Sequence, residues 1–213
     1  MAKLILHGPD YSTHVRTIRL CLHEKKVDYE LKPLAILRGE GRTPEHLRLH
    51  PFGRVPVIEH DGFTLYETLA ISHYIDDVFE GVKLQPADKK RLARMRQMIS
   101  ILDSYGHQPI VSTIVAARAE EALRGVPVNA ERLAKAVPPA RHCLGVIDRM
   151  IGEGPFAIGN SLTLADLHLA PTVGFFARTP EGTRMLPNLP KLAGWWERMA
   201  VRPSIVATDP YAA

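Results

Sequence analysis

A carboxylate and a hydroxyl, Glu67 and Thr68, stand together directly before a run in which Ile71, Tyr74, Ile75, Val78 and Phe79 recur at helical spacing. That spacing puts both at a helix N-terminus, where unpaired backbone N–H groups and the macrodipole favour a negatively charged ligand group. Upstream, Pro56 sits among Val55, Val57 and Ile58. Proline gives no ladder hydrogen bond, so Pro56 belongs to an edge or a strand start, and a cis bond is open to it. An exposed edge beside a helix N-terminus can hold a short peptide carrying a free carboxylate. Ser12 is a third candidate, because it opens a helical pattern with Val15, Ile18 and Leu22 on one face. Its oxygen can accept from the N–H groups that start the helix, while its O–H keeps the capacity to donate.

The elements that must carry these residues follow in a short order. Residues 3–7 form an apolar strand, Gly8-Pro9-Asp10 a turn, and a helix runs on from Ser12 to a second strand over 28–33. The glycine-bearing stretch 39–42 reads as a flexible loop, and Pro44 to Leu49 as a short helix capped by Thr43 with Pro44 at its first position. The turn His50-Pro51-Phe52-Gly53 leads to a β-branched run, Asp61-Gly62 is a strong hairpin signal, and Phe63 to Tyr66 returns the strand. A β-α-β unit followed by a hairpin and a helix suggests a thioredoxin-like first domain over 1–80.

Beyond a linker at 81–87 the pattern becomes helical to the end, 88–213. Asp88 opens a long helix with Leu92, Met95, Ile99 and Leu102, which Pro109 is expected to kink or interrupt. Its methionines read as core packing. A second helix starts at Val128 or Asn129 and reaches Met150, disturbed at Pro138-Pro139. Thr163 and Asp166 have the spacing of a variant capping box, with Leu162 and Leu167 as a hydrophobic staple, so Asp166 is given a structural role. A last helix spans 189–201 with Trp195-Trp196, and the tail after Pro203 is expected to pack loosely.

Composition narrows the classes. A chain of 213 residues, 46% apolar and 23% charged, suits one or two ordinary domains. A net charge of +4 without a basic run or interleaved aromatics does not mark a nucleic-acid face. Two cysteines make no disulfide framework: Cys21 lies near an apolar helix face, and Cys143 next to His142 points elsewhere on a helix. No apolar run approaches membrane-spanning length, and the first six residues are too short for a signal peptide, so a cytoplasmic location is expected.

FGRVPVIEHDGFTLYETLAISHYID resembles the glutathione-binding half of a soluble glutathione S-transferase, whose pattern is N-P-x-G-x-V-P-x-L and then E-S-x-A-I. His50 replaces the usual Asn and Thr68 the usual Ser. HGPDYSTHVRTIRLCLHEKKVDYE is similar to the opening of the plant phi class and its bacterial relatives, where a serine four residues after the glycine activates the thiol. The resemblance implies an α/β thioredoxin-like domain followed by an all-α domain. It implies a homodimer that conjugates glutathione, as cosubstrate, to a hydrophobic electrophile without a metal.

By position, the resemblance gives Ser12 the thiolate, ahead of Tyr11 and Thr13, with His14 read as an exposed helix-face residue. Val55, before a presumed cis-Pro56, takes the cysteinyl unit. Glu67 takes the γ-glutamyl ammonium and Thr68 its carboxylate. Arg42, preceded by Gly41 instead of the usual histidine, and Arg54 are candidates for the glycyl carboxylate, a solvated arginine being the other reading of each. Ser104, Tyr105 and His107 are candidates for the electrophile pocket. Other readings of the same chain are a glutathione-dependent peroxidase, reductase or isomerase, and a non-catalytic binding protein of this fold.

Overall fold

Four short strands make one mixed sheet in the computed structural model, which describes residues 4–211. β1 (Leu4–His7), β2 (Tyr29–Lys32), β3 (Val57–His60) and β4 (Phe63–Tyr66) lie in the order β2-β1-β3-β4. β1 and β2 run parallel through the crossover helix α1 (Thr13–Lys25), and β3 is antiparallel to both of its neighbours. The hairpin turns at Asp61 and Gly62, both at positive φ (51° and 78°), as a two-residue turn matched to strand twist requires. Pro56 stands directly before β3, so it occupies a strand start; β3 itself is internal, not an edge.

The stretch 39–42 is wound rather than loose. Single 3-10 turns at Ile36–Arg38 and Glu40–Arg42 lead into α2 (Pro44–Leu49), capped by Thr43, whose Oγ1 accepts from the His46 N–H at 3.3 Å. Local backbone bonds close these turns, from the Gly39 N–H to the Ile36 carbonyl at 3.0 Å and from the Thr43 N–H to the Glu40 carbonyl at 3.2 Å, and the chain packs closely there: a Cβ on Gly41 would lie 2.5 Å from the Gly53 carbonyl oxygen. The last turn of the helix α3 (Thr68–Val78) carries Asp76, buried and paired with Lys25 at 3.3 Å. Asp76 also accepts from the Leu84 and Gln85 N–H groups at 2.9 and 3.1 Å, which pins the chain as it leaves the sheet unit.

Residues Pro86–Val201 form a separate, all-helical unit. In α4 (Lys89–Ile101), Asp88 caps the helix through the Arg91 N–H at 2.8 Å, and Met95, Met98 and Ile99 are core. The winding widens to π type over Leu102–Val115 and continues as α5 (Ala116–Arg124), so Pro109 changes the helix instead of ending it. α6 (Ala130–Met150), capped by Asn129, likewise runs through Pro138-Pro139; both prolines are exposed, on the side where freed carbonyls meet water. α7 (Leu164–Ala177) is buried from Leu164 to Phe176 and forms the centre of this unit. α8 (Pro180–Met185) and α9 (Pro190–Ala200) complete it, with Trp195 fully buried.

The segment from Arg202 onward groups with the sheet unit. It is not a loose tail. α10 (Pro203–Ala207) is held to α1 by Arg202 on Glu24 at 2.8 Å and by the buried Arg16, which donates to the Ile205 carbonyl at 2.9 Å. The helical domain expected over 88–213 therefore loses its last residues to the first unit. No helix among the described residues is long and apolar enough to cross a membrane.

Candidate functional site

Strand register brings three loops to one end of the sheet. His7, the last residue of β1, pairs with Val57, the first of β3, and Val57 pairs with Tyr66, the last of β4. The turn leading to Ser12, the Val55-Pro56 pair and the Glu67-Thr68 pair all leave the sheet there. Gly8 closes this end: its φ is 143°, and a Cβ would meet Val15 Cγ2 at 2.4 Å and Val55 Cβ at 3.1 Å. Only glycine lets the start of α1 come down on Val55. The Val55-Pro56 bond is cis, and Val55 precedes β3, outside its ladder.

Ser12 is the N-cap of α1, with Oγ accepting from the Val15 N–H at a long 3.4 Å. That bond uses a lone pair and leaves the hydroxyl proton available. Thr13 is buried at 5% exposure, turned into the protein. Tyr11 is 40% exposed, and burial, with Asp10 and Tyr211 nearby, raises its phenol above the ordinary value. His14 is half-buried, not exposed.

Glu67 is held at φ 74°, ψ 117°, a backbone state that a non-glycine residue adopts at a cost of about 1–3 kcal/mol. Its side chain is exposed and makes no cap bond, so the start of α3 is uncapped by it. Thr68 is the first residue of the helix, half-buried beside them. Arg42 and Arg54 are exposed and have no carboxylate partner among the described residues. The loops that carry them touch, because Gly53 (φ 63°) has the same 2.5 Å clearance toward the Gly41 carbonyl oxygen. A histidine at 41 would not fit that contact.

Two further residues belong to this neighbourhood. His46, 4% exposed, donates from Nε2 to the Arg54 carbonyl at 2.7 Å. His50, 2% exposed, accepts at Nδ1 from the Phe52 N–H at 3.3 Å, and its ring centroid lies 4.6 Å from that of Tyr66. Sequence reading noticed His50 only as a departure from a motif and passed over His46. The signal was their spacing of four, which sets the C-cap residue His50 one turn beyond His46 of the short helix α2.

In the helical unit, Asp166 is fully buried and accepts from the N–H of Ala157 and of Thr163, the Thr163 hydroxyl and Trp195 Nε1, at 2.7–2.9 Å. Burial raises its pKa against the pull of these donors. A groove of about 630 Å³ runs along the π-wound segment and α6, lined by Ser104, Tyr105, Arg132 and Lys135 among others, but not by His107. Both cysteines are buried; burial pushes the Cys143 thiol up to about 11 and that of Cys21 higher still. No group of three or more His, Cys, Asp or Glu among the described residues is placed to hold a metal ion.

Comparison with known proteins agrees with this geometry. Residues 11–78 match the model of the glutathione S-transferase N-terminal domain, and residues 107–207 that of the C-terminal domain. Glutathione S-transferase F14 of Arabidopsis thaliana is 31% identical over 193 residues, 88% of this chain and 76% of that protein. Glutathione S-transferase F13 of the same plant is 28% identical over 207 residues, 96% of this chain and 94% of that one. The crystal structure of glutathione transferase F7 from Populus trichocarpa superposes with a TM-score of 0.85 at 28% identity, covering 96% of this chain and 97% of that one. These relatives are plant proteins and lend the bacterial side of the resemblance no support. The chain belongs to the glutathione S-transferase family.

Proposed function

We propose that this chain is a glutathione transferase in which Ser12 holds the sulfur of glutathione as a thiolate for attack on a hydrophobic electrophile. The observation that carries this reading is the convergence, at one sheet end, of a helix-capping hydroxyl, a backbone outside its ladder at Val55 and the uncapped start of α3 behind Glu67. Bound glutathione supplies a thiol whose free pKa is about 8.5. The Ser12 O–H, which has no acceptor among the described residues, and the N-terminus of α1 favour its ionised form.

The remaining assignments extend this reading. The Val55 backbone, aimed by Pro56, pairs with the cysteinyl unit. Glu67 faces the γ-glutamyl ammonium, and Thr68 gives its hydroxyl and N–H to the carboxylate beside it. Arg42 and Arg54, exposed and with no carboxylate partner among the described residues, serve the glycyl end. Cys21 and Cys143, buried with raised thiol pKa values, speak against chemistry carried by a protein thiol. A homodimer and a cytoplasmic location complete the reading, supported by the exposed aromatics Phe52 and Tyr105 and by the two free cysteines.

Calorimetric titration with glutathione, joined to the ultraviolet absorbance of bound thiolate across pH, tests the proposal. Binding with a thiol pKa clearly below its free value is expected. In Ser12→Ala the thiol pKa returns toward that value and turnover falls about 10²-fold or more, while the glutathione Kd changes little. Equal turnover in the variant would refute the role of Ser12, and no binding at all would overturn the reading.

A further inference from the structure

Two buried imidazoles lie directly beneath the proposed glutathione site, and no step above uses either. His46 and His50 sit with ring centroids 6.4 Å apart at the end of α2. Each braces one wall. His46 holds the Arg54 carbonyl, immediately before Val55. His50 holds the Phe52 N–H and packs at a 32° tilt against Tyr66, immediately before Glu67.

The partners dictate the protonation states. A carbonyl only accepts, so His46 must carry its proton on Nε2; an N–H only donates, so His50 must present a bare Nδ1. A proton on His50 Nδ1 would set N–H against N–H inside the turn that places Phe52 and Gly53, which its backbone bond from the Gly53 N–H to the His50 carbonyl at 2.8 Å also closes. We propose that His50 is a positioning residue whose neutral imidazole keeps the 50–55 loop in its glutathione-binding form, so that protonation of His50 weakens glutathione binding. The inference rests on the glutathione reading above.

The charges facing His50 come from three directions. His46 on α2 and Arg54 on the following loop oppose a proton there, while Glu67 at the start of α3 favours one. The rings of Tyr66 and Phe52 cover the remainder at 4.6 and 6.2 Å. Burial is the largest influence and lowers the pKa below its ordinary 6.5, so the imidazole is neutral at pH 7. The transition therefore falls below the ordinary imidazole value. The binding-competent form is complete above it and is lost as pH falls through it.

The test uses S-methylglutathione, whose blocked sulfur removes the ionisation of the thiol, titrated calorimetrically into the full chain between about pH 5 and 7.5. Circular dichroism at each pH reports the fold. For the unaltered chain, Kd is expected to rise as pH falls, approaching about tenfold per pH unit below the His50 transition. His50→Asn keeps a short acceptor for the Phe52 N–H but cannot titrate in this range. Its Kd should match the unaltered chain at pH 7.5 and stay within about twofold down the series. His50→Gln takes its place if the Asn variant does not fold. A flat profile in the unaltered chain, or the same acid limb in the variant, would overturn the proposal. Absence of binding at every pH in both proteins would instead remove the glutathione reading and this inference with it.

Discussion

Glu67 and Asp166 are both carboxylates at the junction where a loop becomes a helix, yet the chain treats them in opposite ways. Asp166 is fully buried and receives four donors, one of them the indole of Trp195 from a distant helix. Glu67 is exposed, caps nothing and is held in a strained backbone state. A third such carboxylate, Glu181 in the first turn of α8, resembles Asp166: it is 5% exposed and takes both arms of Arg118, at 2.6 and 3.1 Å. Where every donor and acceptor is matched, the group serves the scaffold. Where the chain leaves a helix start uncapped beside a strained residue, that start is the one proposed above to receive the ligand.

That contrast is most easily broken at Asp166. Asp166→Ala leaves the Ala157 and Thr163 N–H groups and the Trp195 indole without their acceptor inside the core. It should lower the unfolding free energy by about 3–5 kcal/mol in a urea titration. Glu67→Gln should shift stability by no more than about 0.5 kcal/mol while weakening glutathione binding. Comparable losses of stability in the two variants would erase the distinction.

Thr68 sharpens the site side. Thr68→Val keeps the shape and removes the hydroxyl, so glutathione binding should weaken by about 1–3 kcal/mol with an unfolding midpoint close to the parent's. A glutathione Kd that does not move would place the γ-glutamyl carboxylate elsewhere.

Glu181 predicts the smallest effect. The Arg118 guanidinium lowers its pKa below the ordinary carboxylate value, so on acidification the unfolded chain takes up this proton before the folded one. The stability it contributes is complete above the unfolded value of about 4.3 and is lost as pH falls through the folded value. Glu181→Gln should cost on the order of 1 kcal/mol at neutral pH, and the gap to the parent should close as pH falls through the lowered folded value. A gap that persists in acid would mean that packing, not the ion pair, holds this helix start.

The sequence by itself determined the local structure and, with it, most of the candidate site. The caps Ser12, Thr43, Asp88 and Asn129 each reach an N–H three residues on, and Thr163 and Asp166 close a capping box over the same distance. The Asp61-Gly62 turn needs only its own two residues. Such interactions are written in spacing because both partners lie within one turn. The docking of α10 on α1 could not be read that way, since Glu24 and Arg202 are 178 positions apart. Neither could the close approach of Gly41 to the Gly53 backbone, nor the work of His46, whose acceptor lies on another loop. Composition records which groups can bond. Only the packed chain decides which of them are satisfied from within and which remain open to a ligand, because burial and long-range contact set the cost of leaving a polar group alone.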